Sequence, residues 1–227
     1  MQAGMKALGA AALALAAGVA QAEVVYTSLG AGLTTPSNTG GGANDGTGVW
    51  FNPLTGYAEV RGFFFPDPLF EDGKFLLLRD TVTYSQPQAQ VWTEGLFSRG
   101  NGVIYASPGN PNPARFGVGQ VIGAGTGYQN PGAGFPDLGP AFGNGAAGGR
   151  GFLGLTLRDP AGSGPGDIFY GYADITVNDD FSVTLNGFAY ENVRGASITT
   201  AVPEPGVAAM WLAGLALLLR LAPRSRR

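Results

Sequence analysis

The sequence predicts an all-β protein built around one antiparallel β-sandwich or jelly-roll-like domain. Three observations carry that prediction. Glycine accounts for 39 of the 227 residues and proline for 16, against a usage of roughly 7% that is ordinary for glycine. Both are scattered as punctuation between short apolar runs, the pattern of many strands joined by turns. Several of those runs alternate apolar and polar residues with a period of two, and no central stretch repeats its apolar residues at the helical spacing.

The first element in chain order is an export signal. Lys6 precedes an almost wholly Ala, Leu, Gly and Val stretch over residues 7–19, which ends in Ala20-Gln21-Ala22. A positive charge, a short apolar region and an A-x-A exit make a secretory signal peptide, with Ala20 and Ala22 as the small residues that signal peptidase requires. Cleavage is expected before Glu23, and Met5-Lys6 offers a second start. The apolar stretch is short for a spanning helix.

Residues 23–201 form the expected β-rich secreted domain, about 180 residues and enough for one core. Of the 13 basic residues of the chain, Lys6 and four arginines lie in the terminal segments, and of the 16 acidic residues only Glu204 does. The domain therefore carries 8 basic and 15 acidic groups, a net charge of −7. Such a balance argues against nucleic acid or an anionic membrane surface as a partner, since both demand clustered Lys and Arg. The chain has no cysteine and no histidine. Disulfides, Ser-His-Asp and Cys-His hydrolases and His-ligated zinc are thereby excluded.

Within the domain, strands are expected at 24–27, 57–65, 74–83, 90–97, 102–105, 115–122, 152–158, 168–177, 181–190 and 196–200. The clearest pair is 168–177 and 181–190. In the first, Phe169, Ala173, Ile175 and Val177 alternate with Ile168, Tyr170, Tyr172, Asp174 and Thr176. In the second, Phe181, Val183, Leu185 and Ala189 alternate with Ser182, Thr184, Asn186, Phe188 and Tyr190, and Asn178-Asp179-Asp180 forms the hairpin loop. Residues 30–48 and 123–151 carry few large apolar groups and are expected to be loops, either on the surface or engaged with a ligand.

Four patterns in the domain bear on chemistry. Gly143-Asn144-Gly145-Ala146-Ala147-Gly148 has the G-x-G-x-x-G spacing of a pyrophosphate-binding turn, but Pro140 before it and strand-like Phe152-Leu153-Gly154-Leu155 after it deny the strand-turn-helix context, so it reads as a loop. Acidic clusters at 67–72, 159–167 and 178–180 offer oxygen ligands of the kind calcium takes, without the regular ligand spacing of a calcium loop. They read first as solvated turns, with structural calcium as the lesser alternative and no other cofactor. Glu59, Glu94 and Glu191 are the long carboxylates on expected strands and the candidates for a glycoside hydrolase pair. Trp50, Phe51, the run Phe63-Phe64-Phe65, Trp92, Tyr170 and Tyr172 divide between core and a face that stacks on sugars.

The last element is the most specific. Val202-Pro203-Glu204-Pro205 keeps the backbone extended, because each proline fixes φ and disfavours helix in the residue before it. Fourteen apolar residues follow over 206–219 and then Arg220, Arg224, Arg226 and Arg227. The basic tail belongs on the cytoplasmic side. At about 1.5 Å per residue the apolar run reaches roughly 21 Å, short of a hydrocarbon core of roughly 30 Å, which favours a processed segment over a permanent anchor.

This order resembles the PEP-CTERM sorting signal of Gram-negative bacteria. The resemblance covers about a tenth of the chain. It implies an exosortase-like membrane protease that recognises Pro203, Glu204 and Pro205 and removes the helix and basic tail. The segment from Tyr170-Gly171-Tyr172 through Tyr190-Glu191 to Ile198 is similar, more weakly, to the closing strands of such proteins. The expectation is therefore a β-sandwich flanked by a signal peptide and a C-terminal transmembrane sorting helix. Such a protein is held briefly at the inner membrane, then delivered to the cell surface or medium, non-catalytic and associated with exopolysaccharide in a biofilm. The alternatives are a carbohydrate-binding module and, further off, a secreted glycan hydrolase.

Overall fold

The computed structural model describes residues 23–36, 45–64, 74–81, 87–93, 101–107, 112–130, 137–138, 142, 149–161 and 167–201. The expected signal peptide with Ala20 and Ala22, the glycine motif at 143–148 and all of 202–227 lie outside those residues, and so does Glu94. The described chain is all-β. Every strand pairing in it is antiparallel, and no α-helix occurs among the described residues.

Thirteen strands are present among the described residues: β1 (Val24–Thr34), β2 (Asp45–Asn52), β3 (Tyr57–Phe64), β4 (Phe75–Asp80), β5 (Gln88–Thr93), β6 (Gly102–Tyr105), β7 (Arg115–Phe116), β8 (Val121–Ile122), β9 (Tyr128–Asn130), β10 (Gly149–Arg158), β11 (Ile168–Val177), β12 (Val183–Glu191) and β13 (Ile198–Thr199). A seven-stranded sheet runs β1-β12-β11-β10-β6-β9, with β7 also paired to β10. A four-stranded sheet runs β3-β2-β4-β5, and β8 and β13 form a short ribbon.

Alternation decides which side chains meet. Leu153, Leu155 and Leu157 of β10 and Ala173, Ile175 and Val177 of β11 point to one face of the large sheet. There they join Val49, Phe51, Phe75, Leu77, Ala89 and Val91 of the four-stranded sheet in one buried cluster. Phe51 ties the two sheets directly, stacking on Phe75 of its own sheet at 5.3 Å and tilting against Phe188 of the other at 5.6 Å. Burying apolar surface at about 25 cal/mol per Å² is the main force holding them together.

The β11–β12 hairpin forms as expected, with two corrections. Its loop runs on through Ser182: the Asn178 N–H donates to the Ser182 carbonyl at 2.8 Å and the Phe181 N–H to the Asn178 carbonyl at 2.9 Å. Phe181 has φ of 65° and belongs to the turn, not the strand. The strict alternation expected along β12 is also broken, because Asp174 pairs with Gly187 and Ile175 with Leu185, leaving Asn186 as an extra residue. This bulge reverses the parity of the residues beyond it. Phe188 and Tyr190 thus pack on the same side as Val183 and Leu185, and Ala189 goes to the other.

Three other expectations fail for local reasons. The stretch expected as a loop over 30–48 contains the end of β1 and the start of β2, a strand that the sequence pattern does not announce. Gly48 permits it, since a Cβ there would run into Leu76, Leu78 and the Leu77 carbonyl of β4. The stretch 123–151 likewise holds β9 and the first residues of β10. The single strand expected at 115–122 is two, β7 and β8, divided by a turn in which Gly119 has φ of 79°.

Candidate functional site

The outward face of the seven-stranded sheet is unlike the inward one. Tyr170 and Tyr172 of β11, Phe152 of β10, Ile104 of β6, Phe116 of β7 and Ala189 of β12 form a second cluster, covered by Ile122 of β8 and Ile198 of β13. Phe152 meets Tyr172 edge-on at 5.1 Å. Beside this aromatic layer sits a charged group. Asp174, only 1% exposed, holds Arg150 of the neighbouring strand in a two-point clasp, with Nε donating to Oδ1 at 2.9 Å and Nη2 to Oδ2 at 2.6 Å. Asn186 donates to Asp174 at 3.2 Å and to the Thr176 hydroxyl at 3.1 Å. The bulge residue is therefore what completes the cage around a buried carboxylate, as a buried charge requires.

The clasp changes the groups in it. The Asp174 carboxylate, first by hydrogen bonding, holds the Arg150 proton more tightly than usual. Tyr26 of β1 lies over Gly187, where a Cβ would strike its hydroxyl. Its phenol is pushed up, first by burial and then by the negative charge of Asp174. Yet the Arg150 side chain remains 52% exposed. One side of it is fixed by the protein, and the other faces solvent.

A second arginine lies alongside. Arg115 reaches across β10 at Gly149 and Gly151, where any Cβ would press on its side chain, and Nη2 donates to the Arg150 carbonyl. The sequence Gly149-Arg150-Gly151 is thus a track on which one arginine lies flat while another projects. Together with Phe116, Gly117, Val118, Gln120, Gly151 and Phe152 they line an open cleft of about 480 Å³.

The last described residues, Thr200 and Ala201, are tied down beside this cleft. The Thr200 hydroxyl donates to the carbonyl of Gly117 at 2.6 Å and accepts from the Gln120 N–H at 3.0 Å. The Thr200 N–H donates to the Gln120 carbonyl at 2.9 Å, and its carbonyl accepts from Gly119 at 2.8 Å. Ala201 is tied in turn to the Tyr172 hydroxyl, which donates to its carbonyl at 2.9 Å. The residue immediately before Val202-Pro203-Glu204-Pro205 is therefore clamped to the sheet.

The other sequence candidates fall elsewhere. Trp50 and Trp92 are buried with Leu76 and Leu78 on the outer side of the four-stranded sheet, and Phe51, Tyr170 and Tyr172 are buried in the two other clusters. Each of these five is core and none offers an open ring; Phe65 and the side chains of Phe63 and Phe64 lie outside the described residues. Asp159 and Asp167, candidates for calcium, are ion-paired to Arg194. The Asp180 carboxylate accepts from the Ser182 N–H at 3.0 Å and its hydroxyl at 2.6 Å, which lowers its pKa. Among the described residues there is no group of three or more acidic side chains placed to hold a metal ion. Glu59 lies on β3 near Arg61 at 3.9 Å, while Glu191, buried at the end of β12, accepts from the Val193 N–H at 3.1 Å. They sit on different sheets, each with its own local partner.

Arg115, Arg150, Asp174 and Asn186 are not marked as a site by any local sequence pattern. An acid inside the apolar run Tyr172-Ala173-Asp174-Ile175 is the available signal, because a carboxylate on a doubly buried strand must have a partner. Comparison with protein-family models, with curated proteins and with solved structures returned no match. Among the described residues no helix is long and apolar enough to cross a membrane.

Proposed function

We propose that this chain is an exported cell-surface or extracellular-matrix protein, delivered by an exosortase-like sorting system and without catalysis of its own. The observation that carries the reading is the order of Val202-Pro203-Glu204-Pro205, an apolar run of fourteen residues and the arginines at 220, 224, 226 and 227. Signal peptidase acts at Ala22, the apolar helix is a transient inner-membrane anchor, and release follows recognition of Pro203, Glu204 and Pro205. The clamped Thr200 and Ala201 support it, since they leave the motif directly beyond the last described contact of the domain. The delivered domain is a β-sandwich, a reading supported by the cluster shared between the two sheets and by the Phe51–Phe188 contact. Its partner in the matrix is exopolysaccharide.

Replacing Pro203, Glu204 and Pro205 together by alanine tests the sorting step. The variant is expected to accumulate in the membrane fraction while the unaltered chain reaches the surface or medium. Equal release of both would contradict it.

A further inference from the structure

The geometry points to the Arg115–Arg150 cleft as a binding site for an anionic glycan, one carrying a carboxylate or sulfate on its sugar units. This rests on the exopolysaccharide association proposed above and names its chemistry. The starting point is where the aromatic rings are. Trp50, Trp92, Tyr170 and Tyr172 are buried, so the described surface offers no stacking platform of those rings for a neutral sugar. It offers charge instead. A domain with 15 acidic and 8 basic groups places two of its arginines in one cleft.

The two guanidiniums suit an anion for separate reasons. Arg150 is oriented before any ligand arrives, because Asp174 takes two of its donors at 2.9 and 2.6 Å while half of the side chain stays open. A guanidinium has five N–H groups in a rigid fork matched to carboxylate and sulfate oxygens, and a side chain already held in place loses little entropy on binding. Arg115 is laid along β10 by the two glycines, so both cations line the same opening. The rest of the lining is apolar or amide. Phe116 and Phe152 lie at its inner side and Val118, 70% exposed, at its rim, against which the C–H faces of a pyranose can rest.

The charge density selects the class of polymer. Duplex DNA presents one charge per roughly 1.7 Å and is held by many cations spread along a surface. A single cleft with two arginines in a domain of net charge −7 repels such a polyanion beyond its first contacts. An acidic polysaccharide, with at most about one charge per sugar ring, puts a charge into the cleft and leaves neutral sugar outside it.

Titration calorimetry of the full chain in mild detergent against polygalacturonate, kappa-carrageenan, neutral dextran and duplex DNA tests this. Polygalacturonate or kappa-carrageenan is expected to bind in a salt-sensitive manner, and the tighter of the two identifies the anion. Neutral dextran and DNA are expected not to bind. Arg115→Gln and Val118→Glu should each weaken the bound glycan about tenfold, while Val118→Lys should leave it unchanged or tighter. Val118 is exposed, so its variants keep the fold and its charge series stands even if Arg115→Gln unfolds. Glycan binding indifferent to both Val118 changes would overturn the site while leaving exopolysaccharide association intact. Equal binding of neutral dextran, or DNA binding with the same response to Val118→Glu, would overturn the anionic-glycan assignment. Binding of neither acidic polysaccharide would overturn the site, and only the same silence against the producer's own exopolysaccharide would remove the association as well.

Discussion

The two faces of the seven-stranded sheet are made from alternate residues of the same strands and do different work. The inward face of β10–β11 is aliphatic, with Leu153, Leu155, Leu157, Ala173, Ile175 and Val177 in one cluster with the second sheet. The outward face carries aromatic rings, a caged carboxylate, two arginines and the clamp on Thr200 and Ala201. A face covered by another sheet is free to be featureless, since apolar burial is non-directional. A face covered by a thin ribbon and partly by solvent holds its shape through directed bonds, and those bonds leave polar groups at an opening.

Breaking the inward face has the largest expected effect. Phe51→Ala removes the ring that meets both Phe75 and Phe188 and should cost about 4 kcal/mol, measured by urea unfolding. The same change with a loss below about 1 kcal/mol would mean the sheets do not share a core. On the outward face, Arg150→Ala strands the Asp174 carboxylate and should cost about 3 kcal/mol, much of it recovered when Asp174→Asn is added. Without that recovery, the cost belongs to packing of the arginine stem and not to the clasp.

Smaller effects separate the faces further. Thr200→Val deletes the hydroxyl that bonds Gly117 and Gln120, and roughly 1–2 kcal/mol should be lost. Hydrogen exchange should accelerate at the amides of Gly119 and Thr200 before it does in β10 or β11. Alkaline pH touches both faces. Tyr105 inward and Tyr26 and Tyr172 outward are all raised above 10.0, burial being the first cause in each. The unfolded chain ionises first, so the stability they contribute is complete below pH 10 and falls as pH rises beyond it. A melting temperature flat from pH 8 to 11 would contradict this. Tyr105→Phe should soften the decline without freeing Ala201, whereas Tyr172→Phe should do both.

The difference between the faces is also the difference in what the sequence made legible. The period of two along β11 was readable because both sets of its residues are large, and the hairpin to β12 followed from Asn178-Asp179-Asp180. The parity switch at Asn186 was not readable, since a bulge inserts one residue without changing composition. β2 stayed hidden because Gly46 and Gly48 carry no side chain to register, although Gly48 is there so that β4 can come close. The arginine cleft was hidden for a related reason. It depends on β7 lying beside β10, a pairing between residues 115 and 153 that no local pattern encodes. The proposed sorting signal is of another kind, read from the order of residues 202–227 along the chain and not from any contact.

The central claim is of a domain that is exported, clamped shut at Ala201 and released just beyond it. The intact mass of the protein recovered from cell surface and medium tests that most directly. It should correspond to a chain that begins at Glu23 and has lost the apolar run with Arg220, Arg224, Arg226 and Arg227. A mass that still includes Arg227 would contradict it.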